Sequence, residues 1–215
     1  MAVDYSLYLV ADADFFQEIA VPGAAGRDLL DLIEAAVRGG VTVVQLRAKN
    51  LPFPAFLELG LGAAGRLAGT GVPLLVNDRL DIALACGAAG VHLGQDDMSL
   101  MAARRMLGGD KIIGLSVNTP EEARRAEREG ADYVGAGPAY STATKETGLA
   151  VLGPEGLGRV KRAVGIPVVA IGGVSASNAA AVARSGVDGI AVISAILGAP
   201  DATRAAAELK TAFGR

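Results

Sequence analysis

Eight short, mostly apolar runs bounded by glycine or proline recur along the chain: Leu7–Val10, Val41–Leu46, Pro73–Val76, Gly90–Leu93, Ile112–Leu115, Asp132–Gly135, Pro167–Ile171 and Gly189–Ile193. Between them the apolar spacing changes to that of a helix, as in Leu29, Leu32, Ile33, Ala36 and Val37, or in Leu100, Ala103 and Leu107. A strand that is apolar at nearly every position must be covered on both faces, which is the condition of a parallel sheet with crossover helices. A weak repeat supports the same count. Gly40-Val-Thr-Val-Val, Gly87-Ala-Ala-Gly-Val, Gly130-Ala-Asp-Tyr-Val and Gly186-Val-Asp-Gly-Ile each close a helix and open an even-numbered strand, while Gly71-Val-Pro-Leu-Leu-Val matches Gly165-Ile-Pro-Val-Val-Ala at the odd ones. The strand-helix alternation predicts a single (β/α)8 TIM barrel over residues 1–215, with its active site at the C-terminal ends of the strands. An open doubly wound sheet is the alternative, but no Gly-x-Gly-x-x-Gly follows the first strand, where the irregular crossover Ala11–Gly26 stands instead. The clearest helix start is Thr119 as N-cap, Pro120 in the first turn and Glu122 completing a capping box, with Gly130 as the stop.

With 51% hydrophobic and 20% charged residues, the chain has enough apolar material for the core such a barrel needs. A net charge of −3 argues against a nucleic-acid partner, so any positive site must be local. Neither a basic stretch followed by an apolar run at the start nor an apolar segment of membrane length is present, which points to a cytoplasmic protein with no membrane partner. The single cysteine, Cys86, reads as a small buried hydrophobe in a reducing compartment. One histidine and one cysteine cannot build a zinc site of the usual kind, so a metal here would be a hard cation held by carboxylates.

Polar residues just after each apolar run are the ones that face a ligand in this fold. On strand two, alternation places Gln45, Arg47 and Lys49 on one side, a poor choice for core and a good one for an anion. The bland alternative is that Arg47 or Lys49 pairs with a neighbouring carboxylate. Strand three ends in Asn77-Asp78-Arg79, and His92 and Asp97 follow from strand four. Asp78 and Asp97 read either as helix caps or as the carboxylates of a Mg2+ site shared with phosphate oxygens. His92 is expected to line the pocket or fix a backbone group rather than act as a base. Strand five ends in Ser116. Residues 137–148, Gly-Pro-Ala-Tyr-Ser-Thr-Ala-Thr-Lys-Glu-Thr-Gly, supply Thr142, Thr144 and Lys145 as a loop that suits an anion. Gly172-Gly173 and Ile193-Ser194, after strands seven and eight, stand where this fold commonly holds phosphate. Two anion sites are therefore expected on one face.

Leu-Tyr-Leu-Val near the start, Gln45-Leu-Arg-Ala-Lys49, Val76-Asn-Asp-Arg79, Val91-His-Leu-Gly-Gln95, Gly114-Leu-Ser116, Gly137-Pro138 through Lys145, and Ile171-Gly-Gly-Val174 together resemble the thiamine-phosphate synthases. The resemblance implies a transferase that joins 4-amino-5-hydroxymethyl-2-methylpyrimidine diphosphate to hydroxyethylthiazole phosphate, releasing pyrophosphate, with Mg2+ as cofactor. It implies that Asp78 and Asp97 hold the metal, and that Gln45, Arg47, Lys49, Asn77 and Lys145 surround the pyrimidine diphosphate. Ser116 would lie beside the reacting ring, and Thr142, Thr144, Gly173, Ile193 and Ser194 would receive the thiazole phosphate. Lys145, Ser116 and Arg47 are the residues it places at the catalytic centre. If the diphosphate leaves first, the thiazole nitrogen attacks a pyrimidinylmethyl cation and no general base is needed. A thiazole tautomerase on the same barrel, and a noncatalytic phosphate-binding barrel, are the competing readings. The sequence is compatible with a homo-oligomer.

Overall fold

The computed structural model describes residues 3–18, 28–142 and 148–214. The strands are β1 (Leu7–Asp12), β2 (Val43–Arg47), β3 (Leu74–Asn77), β4 (Gly90–Leu93), β5 (Ile112–Val117), β6 (Tyr133–Ala136), β7 (Val168–Ile171) and β8 (Gly189–Val192). Helices α1 (Ala13–Glu18), α2 (Leu29–Arg38), α3 (Phe53–Leu67), α4 (Leu80–Ala85), α5 (Leu100–Leu107) and α6 (Pro120–Arg128) alternate with them. After β6 come α7 (Gly153–Ala163), α8 (Ala179–Ala183), α9 (Ser194–Leu197) and α10 (Ala202–Phe213). Each strand pairs in parallel with the next and β8 returns to β1, so the sheet is a closed barrel and the open doubly wound alternative is excluded.

Closure follows from the residues. Leu7, Leu9 and Ala11 of β1 face the helices, whereas Tyr8 and Val10 face the axis. Inside, Tyr5, Tyr8, Val10, Val43, Leu75, Tyr133, Val169 and Ala191 form one packed core. Outside, strand residues such as Val44, Leu46, Val76 and Val91 pack under helix residues such as Ile33, Phe56, Ile82 and Leu157. Burial of each such aliphatic side chain contributes about 1.5–3 kcal/mol. Two interior positions carry no side chain for a reason. Gly114 of β5 sits opposite Tyr133 of β6, and a Cβ there would collide with the tyrosine ring. A Cβ on Gly135 would stand 3.1 Å from His92 Cε1.

The repeated helix-stop glycines Gly40, Gly87, Gly130 and Gly186 all have positive φ, as the repeat requires. The capping box of α6 forms as read: Glu122 N donates to Thr119 Oγ1 at 3.1 Å, and Thr119 N to Glu122 Oε2 at 3.2 Å. Strand boundaries differ from the sequence reading at the ligand face. β1 continues to Asp12, because Asp12 is still in register with Arg47, and β5 continues to Val117 opposite Ala136. The crossover Ala11–Gly26 is therefore regular at its start: Asp12 Oδ1 accepts from Asp14 N at 3.1 Å and Phe15 N at 3.2 Å and opens α1. Residues 19–27 lie outside the described chain. Cys86 is buried, and burial pushes its thiol up from the ordinary range, which suits a packing residue.

Candidate active site

The mouth of the barrel, at the C-terminal ends of the strands, holds two adjoining cavities. One, of about 70 Å³, lies over the axis and is lined by side chains from all eight strands, among them Asp12, Gln45, Arg47, Asn77, His92 and Ser116. The other, of about 150 Å³, lies between the segments after β6, β7 and β8 and is lined by Pro138, Thr142, Gly172, Gly173, Ile193 and Ser194, with Ser116 again at its edge. Ser116, Gly135, Ile171, Ala191 and Ile193 line both. Ser116 thus stands at the junction.

The first cavity carries the charge. Gln45 and Arg47 share the inward face of β2, as period-two alternation requires, and Arg47 is ion-paired with Asp12. Lys49, just beyond β2, is ion-paired with Asp78, just beyond β3. Asp14 braces this turn, accepting from Lys49 N at 2.7 Å. Asp78 has a φ of 61°, a left-handed conformation uncommon for a residue other than glycine. Burial, then contact with Asp97, raises its carboxyl above the usual range, and Lys49 opposes the rise. The cap alternative for these carboxylates is removed. The N-cap of α4 is Arg79 and that of α5 is Ser99, while Asp97 Oδ2 accepts from Gly94 N at 2.7 Å within its own turn. The pairing alternative for Arg47 and Lys49 holds in part, since both cations have carboxylate partners. Of those partners, Asp12 lines the cavity and Asp78 directly follows the C-terminal end of β3.

Across the junction the backbone is the main feature. Gly172 and Gly173 have φ of 98° and 66°. A Cβ on Gly173 would lie 2.6 Å from Ser141 O and 2.9 Å from Tyr140 Cβ, so only glycine lets the segment after β7 meet the segment after β6. Tyr140 N donates to Gly172 O at 2.9 Å, and Asn178 Nδ2 holds Gly173 O at 2.9 Å. Asn118 Nδ2 donates to Gly137 O at 2.8 Å and to Ala150 O at 3.1 Å, tying both ends of the long segment after β6. Thr142 lines the second cavity; Thr144 and Lys145 lie outside the described residues.

His92 lines the first cavity, as expected, and its ring contacts Tyr133 Oη at 2.8 Å and Ser116 Oγ at 2.9 Å. Sequence reasoning missed Asp12, Tyr8 and Tyr133. Asp12 had one available signal, a lone acid directly after an apolar run. Among the described residues no three His, Cys, Asp or Glu side chains gather as a metal cage.

A closed barrel with cations and paired carboxylates on one half of its mouth, and a glycine-built backbone on the other, defines a phosphate-handling enzyme barrel. The chain belongs to the thiamine monophosphate synthase family, whose model matches residues 7–196. It is 48% identical over 212 residues to a thiamine-phosphate synthase of Syntrophomonas wolfei, covering 99% of this chain and 98% of that one. It is 50% identical over 197 residues to one of Clostridium acetobutylicum, covering 92% of this chain and 89% of that one. The solved thiamine phosphate pyrophosphorylase of Pyrococcus furiosus superposes with a TM-score of 0.87 at 38% identity, over 98% of this chain and 96% of that one. The activity these similarities define is that of a transferase making thiamine phosphate.

Proposed function

We propose that the chain joins 4-amino-5-hydroxymethyl-2-methylpyrimidine diphosphate to hydroxyethylthiazole phosphate, with the pyrimidine over the barrel axis and the thiazole phosphate in the cavity after β6, β7 and β8. The observation that carries this reading is the junction at Ser116, which lines both cavities. Two substrates held there meet across a shared wall that includes Ser116, and such proximity supplies a large share of the rate in a two-substrate transfer.

Gln45, Arg47, Lys49 and Asn77 surround the diphosphate, and the family resemblance assigns Lys145, which lies outside the described residues, to the same ligand. Asp78 and Asp97 would hold Mg2+, which would neutralise charge on the diphosphate. The pair fits that ion. Asp78 and Asp97 are in contact, burial and then Asp97 raise the Asp78 carboxyl, and Mg2+ needs only one or two carboxylates besides phosphate oxygens and water. Gly173, Ile193, Ser194, Thr142 and Thr144 receive the thiazole phosphate through backbone N–H and hydroxyl groups. With the leaving group stabilised, the bond to the pyrimidine methylene breaks and the thiazole nitrogen attacks with its own lone pair, so no general base is required. His92, held by Tyr133 and Ser116, accords with that scheme. The setting is cytoplasmic, which accords with a buried free cysteine; no helix of the described residues is long and apolar enough to cross a membrane.

The purified protein mixed with both substrates, with and without Mg2+, tests this, with thiamine phosphate read by fluorescence after oxidation. Product is expected only when both substrates and Mg2+ are present. No Mg2+-dependent product sinks the reading.

A further inference from the structure

Five side chains from five strands cross the barrel floor in one hydrogen-bonded line. Gln45 Nε2 donates to Tyr8 Oη at 2.7 Å, and Tyr8 Oη meets Tyr133 Oη at 2.8 Å. Tyr133 Oη meets His92 Nδ1 at 2.8 Å, and His92 Nε2 meets Ser116 Oγ at 2.9 Å. The barrel is cleared for it: Gly114 leaves room for the Tyr133 ring and Gly135 for His92.

Proton accounting gives the line a direction. Tyr8 and Tyr133 are each 1% exposed, and burial raises both phenols, so each keeps one proton to donate. Tyr8 already accepts from Gln45, so its own proton goes to Tyr133. The opposite choice leaves a buried O–H without an acceptor, at a cost of about 1–3 kcal/mol. The Tyr133 proton must then go to His92 Nδ1, which makes Nδ1 the bare nitrogen and Nε2 the one that carries hydrogen. His92 Nε2–H donates to Ser116 Oγ. The Ser116 proton is left to face the cavities. Turning the Gln45 amide over would reverse every bond in the line, so the polarity is set at Gln45.

We propose that Tyr8, Tyr133 and His92 are positioning residues, a line of fixed polarity that makes Ser116 a hydrogen-bond donor at the junction of the two cavities. The ligand it suits is an acceptor without hydrogen, such as a ring nitrogen of an aminopyrimidine. That ligand assignment rests on the proposed function, whereas the polarity does not.

His92 is the single histidine of the chain, so a protein labelled with ¹⁵N-histidine reports on it alone. Substrate-free protein at neutral pH is expected to show the Nε2–H tautomer. The Nδ1–H tautomer, or a doubly protonated ring, overturns the proposal. Activity provides a second test. Gln in place of His92 extends an N–H to about the position of Nε2, while Asn ends near Nδ1. His92→Gln is expected to keep at least about tenfold more kcat/KM than His92→Asn, the worth of one buried hydrogen bond to an oriented group. Equal losses in the two variants overturn the role of the Nε2 donor. Absence of product from the unaltered protein removes the ring-nitrogen assignment, while the tautomer still decides the polarity.

Discussion

Arg47 reaches from the end of β2 to the carboxylate of Asp12 at the end of β1, with side-chain exposures of 20% and 4%. The two residues are in register on neighbouring strands, so the sheet itself fixes the distance between them. The guanidinium is thereby aimed before any ligand arrives, which spares part of the ordering cost of binding.

Asp12 also caps α1, so its variants separate two roles. Asp12→Ala removes both the partner of Arg47 and the cap and is expected to lower stability by about 3 kcal/mol, in the range for breaking a buried pair. Asp12→Asn keeps a capping oxygen and is expected to cost less. Urea unfolding of the two variants checks the order.

Asp78 gives a pH dependence whose sign follows from its surroundings. Burial and Asp97 raise its folded-state carboxyl above the unfolded value, so the folded protein binds the extra proton. Without Mg2+, the contribution to stability is present below the unfolded value and is lost as pH rises through the folded one. Asp78→Asn is expected to flatten that loss, since the amide cannot ionise and asparagine tolerates the positive φ. Added Mg2+ should raise the melting temperature of the unaltered protein and leave that of the variant nearly unchanged. Thermal melts from acid to neutral pH, with and without the ion, measure both.

Gly114→Ala places a methyl group against the Tyr133 ring. Overpacking of this kind costs about 1–3 kcal/mol. Tyr133→Leu, which shortens the neighbour, is expected to recover part of the loss when combined with it. A double-mutant cycle in denaturant gives the coupling energy.

The barrel was legible in the sequence because its strands are short apolar runs cut by glycine and proline, a pattern that local chemistry alone imposes. The strand ends were less so. Asp12 and Arg47 are polar, yet they stay in the ladder because the neighbouring strand extends beside them, and that neighbour is remote in sequence. The ligand-face residues of β2, β3 and β4 stood out as charges directly after apolar runs. Tyr8 and Tyr133 did not, since a tyrosine within a strand reads as ordinary core, and only the closed barrel brings the two hydroxyls together. Gly114 read only as part of the Gly114-Leu-Ser116 phrase of the family resemblance, whereas its local role is to make space for a side chain on the next strand.

If two separate anion sites meet at the junction that includes Ser116, two variants should separate them by binding alone. Asp78→Asn alters only the first site, and Gly173→Ala, at a φ of 66° and against Ser141 O, only the second. Each variant and the unaltered protein are titrated calorimetrically with Mg2+-pyrophosphate and, separately, with hydroxyethylthiazole phosphate. Asp78→Asn is expected to weaken pyrophosphate about tenfold or more and leave the thiazole phosphate unchanged, with Gly173→Ala doing the reverse. Both variants weakening both ligands alike, or neither weakening either, would contradict the account.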